Sequence, residues 1–196
     1  MSRPVVSSDL HLGHKNITKY RTMFKTSEEH DDAVIAAHKE TLRKNDTWYC
    51  FGDCAFTKAA LARIKELKCR RKVLFLGNHC LENEVTMEDL LEVFDKVYSL
   101  QPHKCFGVKM WFSHCPIHPD EMRGKDFNVH GHTHDYSIDD YRYVNVCVEH
   151  TNWGVVPLQG VIEKFKEDRD LYLSTSWFKR FGYNIKLIFN KYMRAH

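Results

Sequence analysis

No run of apolar residues in the 196-residue chain approaches the roughly 18 that a membrane span requires. The opening stretch, MSRPVVSSD, also lacks the long apolar region of a secretory leader, so a cytoplasmic protein with no membrane partner is expected. The seven cysteines (Cys50, Cys54, Cys69, Cys80, Cys105, Cys115 and Cys147) are odd in number and include no C-x-x-C pair. Such spacing points to neither a disulfide framework nor a zinc ribbon, and reduced thiols in or near the core are expected. No internal repeat and no low-complexity linker divides the chain, which leaves one domain, or one domain with an appendage. A net charge of +3 is too small to mark a nucleic-acid binder by itself.

The hydrophobic fraction of 43% and the aromatic fraction of 13% are those of a globular protein able to bury a full core. The charge is unevenly placed. From residue 171 onward there are five basic side chains (Lys179, Arg180, Lys186, Lys191 and Arg194) and no acidic one, alongside Tyr172, Trp177, Phe178, Phe181, Tyr183, Phe189 and Tyr192. The chain therefore divides into a domain over residues 1–170 and a basic, aromatic extension over 171–196, expected to pack on or beside it. A grip on nucleic acid or a partner is the other use of such a tail.

Strand-like and helix-like segments alternate through the first half. Val5–Ser8, Thr47–Phe51 and Val73–Leu76 are short apolar or β-rich runs. Thr26 with Glu29 resembles a capping box opening a helix to about Arg43. A second helix runs from about Thr57 to Lys68, with Leu61, Ile64 and Leu67 on one face, and Thr86 with Asp89 caps a third. After residue 95 the pattern turns to strands: Lys96–Leu100, His103–Phe106, Lys109–Ser113, Phe127–His130 and Tyr143–Val148, with FGVK as a hairpin connection. This order fits a two-sheet α/β sandwich with outer helices.

Each early strand runs into residues that serve no purpose in a dry core. Asp9–Leu10–His11 follows the first, Gly52–Asp53 the second and Gly77–Asn78–His79 the third. Later, Trp111–Phe112–Ser113 runs into His114, and Phe127–Asn128–Val129 runs into His130–Gly131–His132–Thr133–His134. Loops at strand ends present side chains that a rigid sheet positions, so five such ends point to a single site.

The pieces D-x-H, G-D, G-N-H, H and G-H-x-H, in that order, resemble the calcineurin-like metallophosphoesterase family. The likeness is to small bacterial and bacteriophage-type members, through SDLHLGHKNI, FSHCPI, GHTH and YVNVCVEHTNWGVVPL, where an NV-x-V-[DE] segment leads to a proline. It covers roughly residues 5–165. The resemblance implies a four-layer α-β-β-α sandwich of two mixed sheets. It also implies two divalent ions about 3.5–4 Å apart, which bind both the attacking and the leaving oxygen of a phosphoester. Asp53 would bridge them. Asp9, His11 and His134 would hold the first ion, and Asn78, His114 and His132 the second. Imidazole-rich ligation favours manganese, iron, zinc, nickel or cobalt over magnesium, and the family points first to manganese.

By the same resemblance, a metal-bridging hydroxide attacks phosphorus in line, and His79 stabilises the phosphoryl group or protonates the leaving oxygen. Gly52, Gly77 and Gly131 let the backbone pass close to the ions. His14, Arg21 and Arg123 are candidate substrate contacts, the arginines because a guanidinium pairs with phosphate in a bidentate way. His130 has no assigned role and is read as structural. The family usually has an acid after G-N-H; here Cys80 stands there, and another group must then orient His79 or its role as an acid is weakened. The expected activity is hydrolysis of a phosphodiester or phosphomonoester of a small, nucleotide-like molecule. A nuclease using the basic tail and a non-catalytic metal-binding scaffold are the competing readings.

Overall fold

The computed structural model describes residues 2–193, with side chains described to residue 175. In chain order its elements are β1 (Arg3–Ser7), α1 (Ser27–Thr41), β2 (Asp46–Cys50), α2 (Lys58–Lys65), β3 (Arg71–Phe75), α3 (Met87–Leu91) and β4 (Lys96–Tyr98). There follow β5 (Leu100–Cys105), β6 (Val108–Ser113), β7 (Phe127–His130), β8 (Tyr143–Asn145), β9 (Val156–Pro157) and α4 (Leu158–Met193). The strands form two mixed sheets flanked by helices. The first, in the order β4-β3-β2-β1-β9, is parallel except for β9; the second, β5-β6-β7-β8, is parallel except for β5.

Alternation along the strands builds two apolar clusters. Val5, Trp48, Cys50 and Leu74 meet Val34 and Ile35 of α1, Leu61 and Ile64 of α2, and Leu90 of α3, so three helices cover the outer face of the first sheet. Val6, Phe51, Val73 and Phe75 face the opposite way and interlock with Met110, Phe112, Phe127 and Val129 of the second sheet. Leu158, Val161, Ile162 and Phe165 of α4 close this inter-sheet core, with the Phe165 ring stacked on Phe127 at 4.3 Å. Each fully buried side chain of this size contributes about 1.5–3 kcal/mol.

The helix starts follow the capping signals. Thr26 accepts from the Glu29 amide at 3.1 Å, although the Glu29 carboxylate reaches Lys25 N, one residue before the cap. Thr57 caps α2, and Thr86 with Asp89 forms a reciprocal box on α3. The hairpin turns on Phe106 and Gly107, both at positive φ, as a two-residue turn matching strand twist requires.

Two apolar runs are broken. The expected strand from Lys96 to Leu100 is split: Lys96–Tyr98 pairs in the first sheet and Leu100 already begins β5 of the second. The run Tyr143–Val148 divides at Asn145, whose carboxamide oxygen accepts from Cys147 N at 2.9 Å and turns the chain. Cys147 then bridges to Ser8, and Val148 N donates to Ser8 O at 3.0 Å, tying the end of β8 to the end of β1. The division at residue 170/171 falls inside the continuous helix α4. Leu171, Tyr172 and Leu173 are exposed, with Tyr172 touching Tyr141 at a ring separation of 5.0 Å. The expected packing, or nucleic-acid contact, of the tail concerns mainly side chains outside the described residues.

Candidate metal centre

Because β1, β2 and β3 run parallel, their C-terminal ends lie along one edge; the parallel pair β6 and β7 delivers its ends to the same place. The residues there have an unusual backbone. Asp9 (φ 58°), His11 (51°), Asp53 (44°), His132 (69°) and His134 (50°) all occupy the left-handed region. Each such non-glycine conformation costs about 1 kcal/mol or more and persists only where surroundings over-determine it. Here backbone hydrogen bonds do so: Asp9 N donates to Gly52 O at 3.1 Å, His11 N to Asp53 O at 2.8 Å, and Gly131 N to His114 O at 2.9 Å. A Cβ on Gly77 would strike the Asp53 carboxylate, and one on Gly131 the Ser8 hydroxyl and Asp9 carboxylate.

The seven expected ligands come together. Donor atoms of Asp9, His11 and His134 lie within 4.8 Å of one another, as do those of Asp9, Asp53 and His114. Asp53 Oδ2 is 3.3 Å from His114 Nε2 and 4.0 Å from His11 Nε2, so it stands between the two groups. Asn78 Oδ1 is 2.9 Å from the same His114 nitrogen, and the His132 ring is 5.0 Å from that of His114. The His114 Nδ1–H donates to Phe51 O at 2.6 Å, which turns Nε2 toward the cluster. Asp9 Oδ1 and His11 Nε2 are buried with no hydrogen-bond partner. Two such orphaned acceptor-type atoms, facing each other at 3.5 Å, are what a bound cation would satisfy. Two carboxylates, four imidazoles and one carboxamide form a mixed oxygen and nitrogen donor set suited to divalent transition metals.

Electrostatics fit the same picture. Burial disfavours ionisation of Asp9 and Asp53, yet His11 and His114 outweigh it and hold both carboxyls below their usual range. Burial likewise opposes charge on His114, but the Asp53 hydrogen bond and the Asp9 charge raise its pKa to about 9. The carboxylates thus draw a proton onto His114, which a metal ion held there would have to displace. Burial lowers the pKa of His11 and His132.

Around this cluster stand groups whose positions only the fold reveals. Glu149 Oε1 lies 3.1 Å from His134 Nδ1 and raises its pKa. Ser8 Oγ and Cys147 Sγ donate to Asp9 Oδ2 at 2.5 and 3.1 Å. Glu149 is the acid of the NV-x-V-[DE] segment, so a signal for it was present, but nothing local indicates its partner. His79 sits at the rim, its ring 6.0 Å from that of His11, and its Nδ1 is 2.7 Å from Glu82 Oε2. Cys80 is buried and faces inward, its sulfur accepting from Asp53 N and Gly77 N, each at 3.2 Å.

The three candidate substrate contacts fare differently. His14 is beside the cluster, its ring 6.0 Å from that of His11. Arg21 is not at the surface: it is 4% exposed and donates to Asp9 O, Leu10 O and Glu149. Its guanidinium is consumed in holding the first ligand loop and Glu149, so it is a structural residue rather than a phosphate contact. Arg123 is exposed and ion-paired to Glu121 at 2.6 Å, which turns it to solvent rather than to the cluster. His130 is buried, with Nδ1 on the Gly131 carbonyl at 2.8 Å.

No family model matches the chain. Among curated proteins it is 24% identical over 180 residues to the uncharacterized protein MJ1445 of Methanocaldococcus jannaschii, spanning 86% of this chain and 94% of that protein. It is 36% identical over 83 residues to the Gene 66 protein of Mycobacterium phage L5, 40% of each. Among solved structures, a protein of unknown function from Aquifex aeolicus, AQ665, superposes with a TM-score of 0.66 at 24% identity, covering 83% of this chain and 99% of that one. The last likeness shows a shared fold.

Proposed function

We propose that this chain, which has the two-sheet fold of the calcineurin-like metallophosphoesterases, is a metal-dependent phosphoesterase that hydrolyses a phosphodiester or phosphomonoester of a small, nucleotide-like molecule. The observation that carries the reading is the convergence of seven ligand-type side chains from five strand ends, with Asp9 Oδ1 and His11 Nε2 buried and unpartnered. Five of the seven stand on left-handed backbone, a cost that strand packing alone does not call for.

In this reading Asp9, His11 and His134 would hold one divalent ion and Asn78, His114 and His132 a second, with Asp53 within reach of both. Bound there, such ions supply positive charge for an anionic phosphoryl group and activate water near neutral pH. The protein's own part is positional. Glu82 takes the Nδ1 side of His79, which leaves Nε2 free to face a phosphoryl or leaving oxygen. Phe56 packs beneath His11 and His79, with ring separations of 5.3 and 5.5 Å, and keeps water from that side. An aromatic path runs outward from His11 through His14 to Tyr20, which is 79% exposed and 6.2 Å from His14. An exposed ring reached from the cluster by way of His14 supports a substrate with a flat base to stack.

The test is hydrolysis of bis-p-nitrophenyl phosphate and p-nitrophenyl phosphate by the chelator-stripped chain, reconstituted in turn with manganese, nickel, cobalt and zinc. Turnover is expected with at least one metal, and it should vanish on chelation and in Asp53→Asn. No turnover with any of the four overturns the proposal.

A further inference from the structure

The end of β6 carries one more ligand-type atom than the expected set employs. The Cys115 thiol, directly after His114, forms with His114 and His132 a group whose three donor atoms all lie within 4.8 Å of one another. Among the seven cysteines Cys115 alone is exposed; Cys50, Cys54, Cys80 and Cys147 are buried, and Cys69 and Cys105 are intermediate. Core packing therefore accounts for the others and not for this one. Its backbone is fixed in place, since Ser113 Oγ donates to the Cys115 carbonyl at 2.7 Å and Gly131 N to the His114 carbonyl at 2.9 Å. The first bond fixes the turn after β6, and the second ties it to the loop carrying His132.

We propose that Cys115 Sγ is a soft ligand, beside His114 and His132, for a thiophilic ion in the second position; this rests on the two-ion reading above. Two imidazoles with one thiolate are a donor set used by zinc and cobalt, whereas manganese and magnesium favour oxygen. Ligation breaks the S–H bond, forms a sulfur–metal bond and releases the proton to solvent, with no change of oxidation state. With manganese the thiol stays protonated and unbound. One exposed side chain thus tilts the second position, where Asp53, Asn78, His114 and His132 are the other donors, further toward zinc and cobalt.

The experiment titrates the chelator-stripped full-length chain with cobalt(II), following near-ultraviolet absorbance and counting bound cobalt, for the wild type and for Cys115→Ser. Because the side chain is exposed, serine is accommodated without repacking. A thiolate-to-cobalt charge-transfer band is expected in the wild type and absent in the variant, which still binds two ions. The affinity for zinc relative to manganese should fall about tenfold or more in the variant, since outer partners alone are worth 10–100-fold. A wild type that binds cobalt without the band, or a band undiminished in Cys115→Ser, overturns the proposal. Stoichiometry reports separately on the premise: fewer than two ions in both proteins sinks the two-ion reading, while the band still judges Cys115.

Discussion

Glu82 Oε2 lies 2.7 Å from Nδ1 of His79, three residues before it, in a loop where the adjacent Cys80 faces the other way. The orienting acid expected directly after G-N-H is therefore supplied two positions further on. Glu82→Ala is expected to lower kcat about tenfold, in the range of losses for an outer partner of an active-site imidazole, and Glu82→Gln by less because an acceptor remains. In a His79→Ala background the Glu82 substitution should cost almost nothing, and a double-mutant cycle measures this directly. Equal losses with and without His79 would show that Glu82 acts elsewhere.

Cys80 has a different job. Its sulfur accepts hydrogen bonds from the amides of Asp53 and Gly77, which fixes the loop that presents the Asp53 carboxylate. Cys80→Ala leaves two buried donors unmet, and a stability loss of about 1–2 kcal/mol is expected by urea denaturation. Cys80→Ser, which keeps an acceptor, should lose less.

Arg21 links Asp9 O, Leu10 O and Glu149, residues as much as 128 positions away. Removing it strands a largely buried carboxylate, so Arg21→Ala should destabilise the fold by about 3 kcal/mol or more. A selective rise in KM at unchanged stability would instead return Arg21 to the substrate.

His38 supplies a pH test independent of the metal centre. It is fully buried, with Nδ1–H on the Val34 carbonyl at 2.9 Å and Nε2 facing Ser7 Oγ at 3.0 Å; Ser7 Oγ itself accepts from Trp48 Nε1. Burial lowers its pKa from 6.5 to about 4. The unfolded chain therefore takes up a proton between about pH 6.5 and 4 that the folded chain refuses, and stability falls as pH drops through that window. The loss from this one group is on the order of 3 kcal/mol. Chemical denaturation at pH 7 and pH 4.5 should show it, and His38→Gln should flatten the slope. An unchanged slope in that variant would assign the acid sensitivity to other groups, His130 first, whose pKa burial also lowers to about 4.

Much of the architecture was legible in the sequence. Thr26, Thr57 and Thr86 mark helix starts because a hydroxyl before an amphipathic run meets an amide three residues on, a purely local event. Asp9, His11, Asp53, Asn78, His114, His132 and His134 stand out because such side chains have no other reason to follow short apolar strands. What stayed illegible depended on distant partners: the break of the Tyr143–Val148 run where Cys147 meets Ser8, the burial of Arg21, and the pairing of Glu149 with His134.

By itself, then, the sequence determined which chemical groups stand at the strand ends and in what order, since strand periodicity and turn residues act over a few positions. The tertiary structure alone decided how those groups face one another. It turned Arg21 inward onto Glu149, held five candidate ligands in left-handed backbone, and brought an exposed thiol within reach of His132. Each outcome depends on loops from separate strands closing against one another, and the spacing of residues along one chain does not encode that closure.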